Sequence, residues 1–482
     1  MKKILTTPFA VLSKMKTRLF FTILLIAGSF NAATAQNFYF SDVSDTEAFL
    51  IPIKHKHWHG EQEVDAHCHT YKGNIVIPSE TPEGKKVKGI FAECFIDCDI
   101  TSIVIPASVD TVGYMAFAGC RNLRKVTIED ADTELRLYGS YGNSYCTLSG
   151  GWGEGAYEEV YIGRNYGNMG DNQTFRSDAL KKVTIGPKVT FVPRGAFRDN
   201  PNLEEVEFLS NEAIDSIAER AFYNCPALTS IQLPSSVKVM GKYVFELCTG
   251  LQQVTLPTSL SIIPYETFRQ CTALTDITIP ANIDSIQAST FYLCTGLKSI
   301  FIADGSKPLR LEGHSNNCLF QWSPLETIYV GRNIHLWGGH HPFSNAPAKA
   351  LVIGPEVTEI WEATYGNLMH VTDVYSHAAE PPVCQPNVFN YSFDFRTQAT
   401  LHVAPKSLSA YKKAEGWKEF FKFDPVGCNL NGDNEVNVGD VTMLVNMILG
   451  KVESTDVDAD LNQDGSVNVG DATMLINIIL GK

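Results

Sequence analysis

The sequence is poor in basic residues and, beyond its first 36 residues, lacks any long apolar run. It contains 39 Lys and Arg against 53 Asp and Glu, which gives a formal net charge of −14 at pH 7. An acidic chain argues against nucleic acid or anionic lipid as a partner and favours cations. No segment after Gln36 is apolar for long enough to cross a bilayer. We therefore expect no membrane insertion of the mature chain.

The first 35 residues have the features of a secretory signal peptide. Basic residues precede an apolar run from Leu19 to Phe30 and the small-residue sequence Ala33-Thr34-Ala35. The apolar run is too short for a transmembrane helix. Met15 is an alternative start, because the leader that follows it is sufficient. Cleavage would remove five positive charges and lower the net charge from −14 to −19. We expect a secreted or cell-surface bacterial protein.

A unit of 23 residues recurs through the middle of the chain. Three positions define it, a phenylalanine, a cysteine and a proline: Phe222, Phe245, Phe268 and Phe291; Cys225, Cys248, Cys271 and Cys294; Pro234, Pro257 and Pro280. A fixed period of this length is typical of a solenoid, in which each coil packs on the next.

The residue types within the unit predict how a coil folds. Alternating pairs such as Ile231/Leu233 and Ile277/Ile279 indicate a short strand with one inward face, which the proline ends. We expect the phenylalanines to stack as a continuous spine on the far side. One equivalent cysteine per coil favours small buried side chains over disulfide pairs.

The stretch IVIPASVDTVGYMAFAGCRNL at 103–123 matches the repeat of the BspA-like branch of bacterial leucine-rich repeats almost position for position. The resemblance covers about residues 75–425 and weakens at about 126–180 and 299–350. Those two stretches resemble each other, since VYIGRN and VTIGPKVT return 168 residues later as IYVGRN and LVIGPEVT. A block of several coils is thus repeated, and each copy carries a looser insertion. Residues 399–423 resemble the family's cap, with a strand and an amphipathic helix that place Tyr411, Trp417 and Phe421 over the open core.

The family resemblance implies an α/β repeat solenoid of short parallel strands, with residues 36–74 as an N-terminal cap region. It also implies adhesion or ligand binding at the cell exterior, without catalysis. The ligand, a protein or a glycan, is not set by the fold.

Two oxygen-rich loops with one spacing lie in the last 57 residues, 426–482, which carry nine carboxylates against two lysines. Counted as positions 1, 3, 5, 7, 9 and 12, the second loop offers Asp460, Asn462, Asp464, Ser466, Asn468 and Asp471, with Gly465 at position 6. The first loop offers Asn429, Asn431, Asp433, Glu435, Asn437 and Asp440. This is the ligand spacing of an EF-hand calcium loop, with Asp instead of Glu at the last position. An apolar helix follows each loop.

Two loop–helix repeats without entering helices resemble a type I dockerin, a small all-α calcium-binding domain. The resemblance implies two calcium sites. The first loop has Asn429 in place of the usual aspartate and Asn434 in place of the turn glycine. We therefore expect the second site to bind calcium more tightly. So small a module has little core, and we expect calcium to contribute to its folding.

The dockerin resemblance also implies a cohesin module as partner, on a scaffold or surface protein. The family's contact positions are 10, 11, 17 and 18 of each repeat: Val438, Gly439, Val445 and Asn446, then Val469, Gly470, Ile476 and Asn477. The polar pairs usual at these positions are absent, so we expect a more apolar partner face. The two copies are nearly identical, so the module could bind in either of two orientations.

Two alternatives stay open. The chain could be a targeting component of a polysaccharide-degrading complex, which exposed Trp152, Trp322 and Trp337 on the insertions would favour. A histidine cluster, His55 to His69, could instead hold a metal ion for hydrolysis. We favour an exposed N-terminal coil as the interpretation of this cluster.

Overall fold

The structure, a computed structural model, describes residues 38–52, 71–138, 156–169, 174–313, 319–338, 341–344, 346–362, 364–389, 394–425, 428, 430–431, 436–451, 459–461 and 466–479. The predicted signal peptide and the histidine cluster lie outside these residues. The chain divides at Ser259 into two compact units, here called unit 1 and unit 2.

Unit 1 consists of short strands in two main sheets, one built from odd-numbered and one from even-numbered strands. The odd-numbered sheet, the front sheet of unit 1, contains β3 (Lys72–Val76), β5 (Asp99–Ile105), β7 (Lys125–Ile128), β9 (Glu159–Arg164), β11 (Lys182–Lys188) and β13 (Glu205–Phe208). The other sheet contains the even-numbered strands β2 (Glu47–Ile51), β4 (Lys86–Ile90), β6 (Thr111–Val112), β8 (Leu135–Tyr138) and β10 (Tyr166–Met169), with β1 (Tyr39–Asp42) at its edge beside β2. Smaller sheets hold β12 (Phe191–Val192), β14 (Ser216–Ile217) and β16 (Val239–Met240), and β15 (Ser230–Gln232) with β17 (Gln253–Thr255).

Unit 2 repeats this arrangement and adds the helices. Its front sheet contains β19 (Asp276–Ile279), β21 (Ser299–Ile302), β23 (Thr327–Val330), β25 (Ala350–Ile353), β27 (Asp373–Ser376), β29 (Thr400–Val403) and β30 (Lys422–Pro425). The other sheets contain β18 (Ile262–Ile263), β20 (Ser285–Ile286), β22 (Leu309–Glu312) and β24 (Ile334–Trp337), and β26 (Glu359–Ile360) with β28 (Val383–Cys384). The α-helices are α1 (Leu408–Tyr411), α2 (Val438–Ile448) and α3 (Val469–Ile479), with 3₁₀ turns at Phe395–Thr397 and Pro405–Ser407.

The predicted parallel-strand solenoid is confirmed in each unit. Consecutive front strands pair in parallel without exception among the described pairs, whereas β1 and β2 form an antiparallel hairpin before the first coils. Ile231, Leu233, Ile277 and Ile279 are all at most 4% exposed, as the alternation predicted. No helix within the described residues is both long and apolar enough to span a membrane.

The predicted phenylalanine spine is also confirmed. In unit 1 the ring of Phe222 stacks between those of Phe197 and Phe245, with centroid distances of 5.4 and 5.6 Å. In unit 2 the ring of Phe291 stacks between those of Phe268 and Phe320, at 5.6 and 5.2 Å. Offset-stacked rings at this spacing add to the free energy gained by burying them.

The turn that carries each phenylalanine holds left-handed residues. Around Phe222, Arg220 and Asn224 have φ of 58° and 55°, a region that residues other than glycine rarely adopt. Their N–H groups donate to Lys242 and Glu246 carbonyls of the next coil, at 3.0 and 2.8 Å. The hydrogen bonds between coils therefore offset the strain of the turn.

The cap differs from its prediction in two respects. Tyr411 and Trp417 are fully buried as expected, but Phe421 is 75% exposed and Phe420 is the buried ring. The prediction that Phe421 covers the core was wrong. Helix α1 has a single turn, and the chain then continues in turns, so the side chains do not follow the helical pattern on which the prediction relied. The indole N–H of Trp417 donates to the Pro382 carbonyl at 2.8 Å, which fixes the ring over the last coils.

The cysteine column consists of buried, free thiols, as predicted. The structure adds a feature that the sequence did not show, since the thiols of Cys225, Cys248 and Cys294 each donate to a phenylalanine carbonyl of an earlier coil. Cys248 Sγ lies 3.1 Å from the Phe222 oxygen, and Cys294 Sγ lies 3.0 Å from the Phe268 oxygen. Burial raises the pKa of Cys294 to about 12.

Two arginines are buried at equivalent places in the repeated block. Arg164 donates to the carbonyls of Pro106, Ala107 and Val109 at 3.0, 3.1 and 2.8 Å. Arg332 donates to the carbonyls of Pro280 and Ala281 at 3.0 and 2.9 Å. Both arginines are 0% exposed. Each guanidinium thus donates to carbonyl groups of the turn that follows a strand two coils earlier in the chain, where the Pro106 and Pro280 carbonyls also accept from the N–H groups of Val109 and Ile283 at 3.1 Å.

We expect the thiol of Cys294 to resist alkylation in the native protein, because a buried thiol with a raised pKa supplies little reactive thiolate. Iodoacetamide at pH 8, followed by peptide mapping, should modify this cysteine only after denaturant is added. Modification in the native protein at the rate of a small free thiol would contradict this assignment.

We expect Arg164→Leu to lower the free energy of unfolding by about 2 kcal/mol, because buried carbonyls lose their donors. Arg136→Leu, at an exposed position of β8, is the matched control and should change it by less than about 0.5 kcal/mol. Denaturant unfolding followed by circular dichroism gives both values. Equal effects of the two substitutions would show that the buried guanidinium is dispensable.

Candidate functional site

The C-terminal loops are the candidate site, and the structure describes seven of their twelve predicted ligands: Asn431, Asn437, Asp440, Asp460, Ser466, Asn468 and Asp471. Asn429, Asp433, Glu435, Asn462 and Asp464 lie outside the described residues. Helices α2 and α3 begin at positions 10 of the two loops, as the loop–helix pattern predicted.

Asparagine and aspartate form the same cap at the start of both helices. Asn437 Oδ1 accepts from the Gly439 N–H at 2.7 Å, and Asp440 Oδ2 accepts from the Asn437 N–H at 2.8 Å. In the second copy, Asn468 accepts from the Gly470 N–H at 2.6 Å and Asp471 accepts from the Asn468 N–H at 2.8 Å. These reciprocal bonds form a capping box, which satisfies backbone donors that a helix leaves unpaired.

The carboxylate of Asp440 also holds the beginning of its loop. Its Oδ1 accepts from the N–H groups of Leu430 and Asn431 at 2.7 and 3.1 Å. The side chains of Asp440 and Asp471 are both 0% exposed. Each buried charge lies at a helix N-terminus, where the helix dipole favours it. The aspartate at position 12 therefore joins the first residues of the loop to the helix that follows.

The described donor set fits a calcium ion. It consists of carboxylate and amide oxygens, with the backbone carbonyl of Ser466 at position 7, and these are ligands that Ca²⁺ takes. An oxygen has two lone pairs, so Asp440 Oδ2 keeps acceptor capacity beyond its hydrogen bond to Asn437. Among the residues that the structure describes, no three His, Cys, Asp or Glu side chains form a cluster that could hold a metal ion.

Gly439 is a predicted partner position, and it also lies where the loop closely approaches the start of the helix. A Cβ on this residue would lie 2.6 Å from Asn431 Nδ2 and 3.0 Å from Asn437 Oδ1. A larger residue at this position would therefore displace the side-chain amide of Asn431, a predicted calcium ligand.

A small core joins the two copies. The buried residues at its centre are Cys428, Leu430, Leu444, Ala459, Leu461, Ala472 and Leu475. Val445, Leu449 and Ile476 belong to the apolar pattern of the two helices, yet they are 39%, 59% and 42% exposed. Each helix thus carries more apolar surface than this core can cover.

The uncovered apolar residues coincide with the predicted partner positions. Val438 and Val469 are 69% and 70% exposed, and Val445 and Ile476 follow one heptad later in α2 and α3. Gly470 and Asn477 are exposed, and Gly439 and Asn446 are half-buried. The sequence analysis did not include Leu449 among the partner positions. Its place one helical turn beyond Val445 could have indicated it, because residues four apart lie on the same face of a helix.

The solenoid carries exposed aromatic residues of its own. Trp322 and Trp337 are 66% and 64% exposed, and the Arg310 guanidinium lies 4.3 Å from the centroid of the Trp337 ring. Trp152 lies outside the described residues.

Comparison with known proteins supports the assignment of both modules. The family model of the BspA type leucine rich repeat region matches in six copies over residues 88–149, 168–298 and 251–372. The model of the dockerin type I domain matches residues 430–480. Both are non-catalytic module types. No curated protein matches the chain.

Several solved structures are similar to the chain. A leucine-rich repeat protein from Bacteroides ovatus has 19% identity over 82% of this chain and 100% of its own, with a TM-score of 0.44. A leucine rich cell surface protein from Faecalibacterium prausnitzii has 21% identity over 73% and 96%, with a TM-score of 0.31. The pneumococcal vaccine antigen PcpA has 14% identity over 83% and 97%, also with a TM-score of 0.31.

The repeat model covers more than half of the chain, and parallel strands and stacked phenylalanines recur along the matched residues in each unit. The chain therefore belongs to the BspA type leucine-rich repeat family and carries a dockerin type I domain at its C-terminal end.

Proposed function

We propose that the chain is a secreted or cell-surface binding protein without catalytic activity. Its solenoid presents a surface to a protein or glycan ligand, and its calcium-loaded dockerin, residues 426–482, docks onto a cohesin module of a scaffold or surface protein. The proposal rests on the exposed apolar side chains that lie beside two loops with the spacing of calcium ligands. These side chains, here called the apolar strip, are Val438 and Val445 on α2 and Val469 and Ile476 on α3.

Calcium would link the loops to this strip. The loops and the capping boxes share residues, since Asn437 and Asp440 are loop positions 9 and 12 and also begin α2. Binding an ion in the loop would therefore stabilise the orientation of the helix that follows. We assign a site to each loop, with the second site tighter because it has Asp460 and Gly465 where the first has Asn429 and Asn434.

The partner contact would be apolar at its centre. Val438, Val445, Val469 and Ile476 supply exposed aliphatic surface, and asparagines 446 and 477 lie beside it. Because both copies present the same residues, the module would accept its partner in two orientations related by a near-twofold axis.

A second candidate is a targeting role in a polysaccharide-degrading complex. The strong exposure of Trp322 and Trp337 favours it, because large exposed aromatic rings on a secreted protein mark binding surfaces. Both candidates share the dockerin and differ in the ligand of the solenoid.

We expect Asp460→Asn to weaken the tighter calcium site about tenfold, because affinity follows the charge of the ligand set. The reciprocal change Asn429→Asp should strengthen the weaker site. Isothermal titration of the full-length protein with calcium measures both. The assignment of the sites fails if Asp460→Asn leaves both affinities unchanged.

We expect the double variant Val445→Glu/Ile476→Glu to lose calcium-dependent capture of a cohesin-bearing protein from the producing cell's surface and secreted fractions. Each single variant should retain capture, because the other orientation stays available. Val239→Glu, 60% exposed on the solenoid, is the control. Captured proteins are eluted with chelator and identified by mass spectrometry.

Capture that is lost in a single variant would contradict the two-orientation model. Capture that survives in the double variant, or that persists in chelator, would contradict docking by this face.

A further inference from the structure

One row of side chains crosses the outer face of the front sheet of unit 2. The register places Phe301, Tyr329, Val352, Tyr375 and His402 side by side on β21, β23, β25, β27 and β29. All five lie at the outward positions of their strands, between buried neighbours. We call these five residues the aromatic row.

The equivalent row of unit 1 lacks this concentration of rings. There Tyr161 on β9 lies between Thr127 and Thr184. Tyr161 corresponds to Tyr329 in the repeated block, and the two hydroxyls donate to Asp130 and Asp304 at the same distance of 2.8 Å. The two tyrosines thus share their local contacts and differ in their neighbours along the row.

The rings of the aromatic row form two stacked pairs. Phe301 and Tyr329 have a centroid distance of 4.3 Å and an interplanar angle of 16°. Tyr375 and His402 have a centroid distance of 4.3 Å and an interplanar angle of 11°. In each pair the partner covers the tyrosine face that points away from β25.

The other faces of the two tyrosines therefore point toward each other across Val352. Strands in a sheet are about 4.8 Å apart, so the backbones of β23 and β27 lie roughly 10 Å apart. The Tyr329 ring leans toward β25, since a Cβ on Gly354, which follows that strand, would lie 3.0 Å from its hydroxyl oxygen. The side chain of Val352 is too short to reach between rings that stand on either side of it. Tyr329, Val352 and Tyr375 thus form a slot with two aromatic walls and an aliphatic floor.

The width of this slot suits a cation. A group midway between the walls would lie about 5 Å from each ring centroid, within the ~6 Å range of cation–π attraction. A planar aromatic ring stacked on both walls would need a slot of about 7 Å and would contact only one wall closely.

Charged groups around the slot are predominantly acidic. Asp304 accepts from the Tyr329 hydroxyl at 2.8 Å. His402 lies between Asp373 and Asp424, at 2.9 and 3.0 Å. Burial opposes protonation of His402, but these two hydrogen bonds outweigh it and raise its pKa.

Lys422 on β30 also acts on Asp373. Asp304 and Asp373 therefore place negative charge beside Tyr329 and Tyr375. Asp424 and Lys422 lie on β30, two strands beyond Tyr375.

We propose that this slot binds a Lys or Arg side chain from a basic segment of a protein partner, held between Tyr329 and Tyr375 and beside the carboxylates. The inference rests on the proposed function only in taking the solenoid as the ligand-binding part. It does not depend on the dockerin.

The test is fluorescence anisotropy of the full-length protein with labelled hexa-arginine, and with hexa-citrulline as the neutral isostere. We expect Tyr329→Ala and Tyr375→Ala each to weaken hexa-arginine binding about fivefold. Val352→Trp should weaken it at least as much by filling the slot. Tyr161→Ala in unit 1 is the matched control and should leave binding unchanged. Thermal unfolding of each variant shows whether the fold is retained.

Equal binding of hexa-citrulline and hexa-arginine would overturn the proposal, and so would an equal loss in Tyr161→Ala. A neutral β-glucan that binds the wild type and is lost in Tyr375→Ala, with no preference for hexa-arginine, would assign the slot to a sugar ring instead. Calcium-dependent capture through the dockerin, measured on the same variants, is unaffected in either case, so failure of this inference is distinguishable from failure of the proposed function.

Discussion

A single coil of the repeat can bury its phenylalanine and its strand residues only against the coils beside it. Ring stacking at 5.4 Å between Phe197 and Phe222, and hydrogen bonds from Arg220 and Asn224 to the next coil, fix the register within unit 1. Nearest-neighbour packing of this kind is what stabilises repeat proteins. The outward residues follow from the same register, so the binding surfaces of the solenoid depend on it.

The dockerin also has too small a hydrophobic core to be stable by itself, and it is stabilised by other interactions than coil packing. Among its described residues, seven buried side chains form the centre of the core, and so small a core is too little to fix two helices without help. The carboxylates of Asp440 and Asp471 supply part of that help, because each is buried and bonded to backbone N–H groups at the start of a helix. Calcium in the adjoining loops would act on these same residues. Ion binding would thereby be coupled to presentation of the apolar strip.

Periodicity made most of the solenoid predictable. A period of 23 residues is shared by the inward strand residues, the phenylalanine spine and the buried cysteines. A pattern found in one coil can therefore be checked in the sequence of the next coil. The cap has no such repetition, and a shift of one residue exchanged Phe420 for Phe421. Arg164 was also out of reach, because its carbonyl partners lie two coils away in the chain. Left-handed residues such as Leu247 run against local propensity and arise only from packing between coils.

In the loops, the same residues carry two sequence signals, and the sequence analysis recognised only the calcium-ligand spacing. The oxygen spacing indicates calcium ligands, while the Asn-x-x-Asp pattern at 437–440 and 468–471 is equally a helix-capping signal, and the structure shows the caps. The aromatic row could not be predicted from the sequence, because its members are 23 to 28 residues apart and only the strand register makes them neighbours.

The central claim is that calcium organises the dockerin while the solenoid folds by coil packing alone. Hydrogen exchange of the full-length protein, followed by mass spectrometry with calcium and with chelator, tests it directly. The account predicts that calcium slows exchange in Val438–Ile448 and Val469–Ile479 and leaves strands such as Asp276–Ile279 unchanged. Unchanged exchange in both helices, or slowing that extends through the coils, would contradict it.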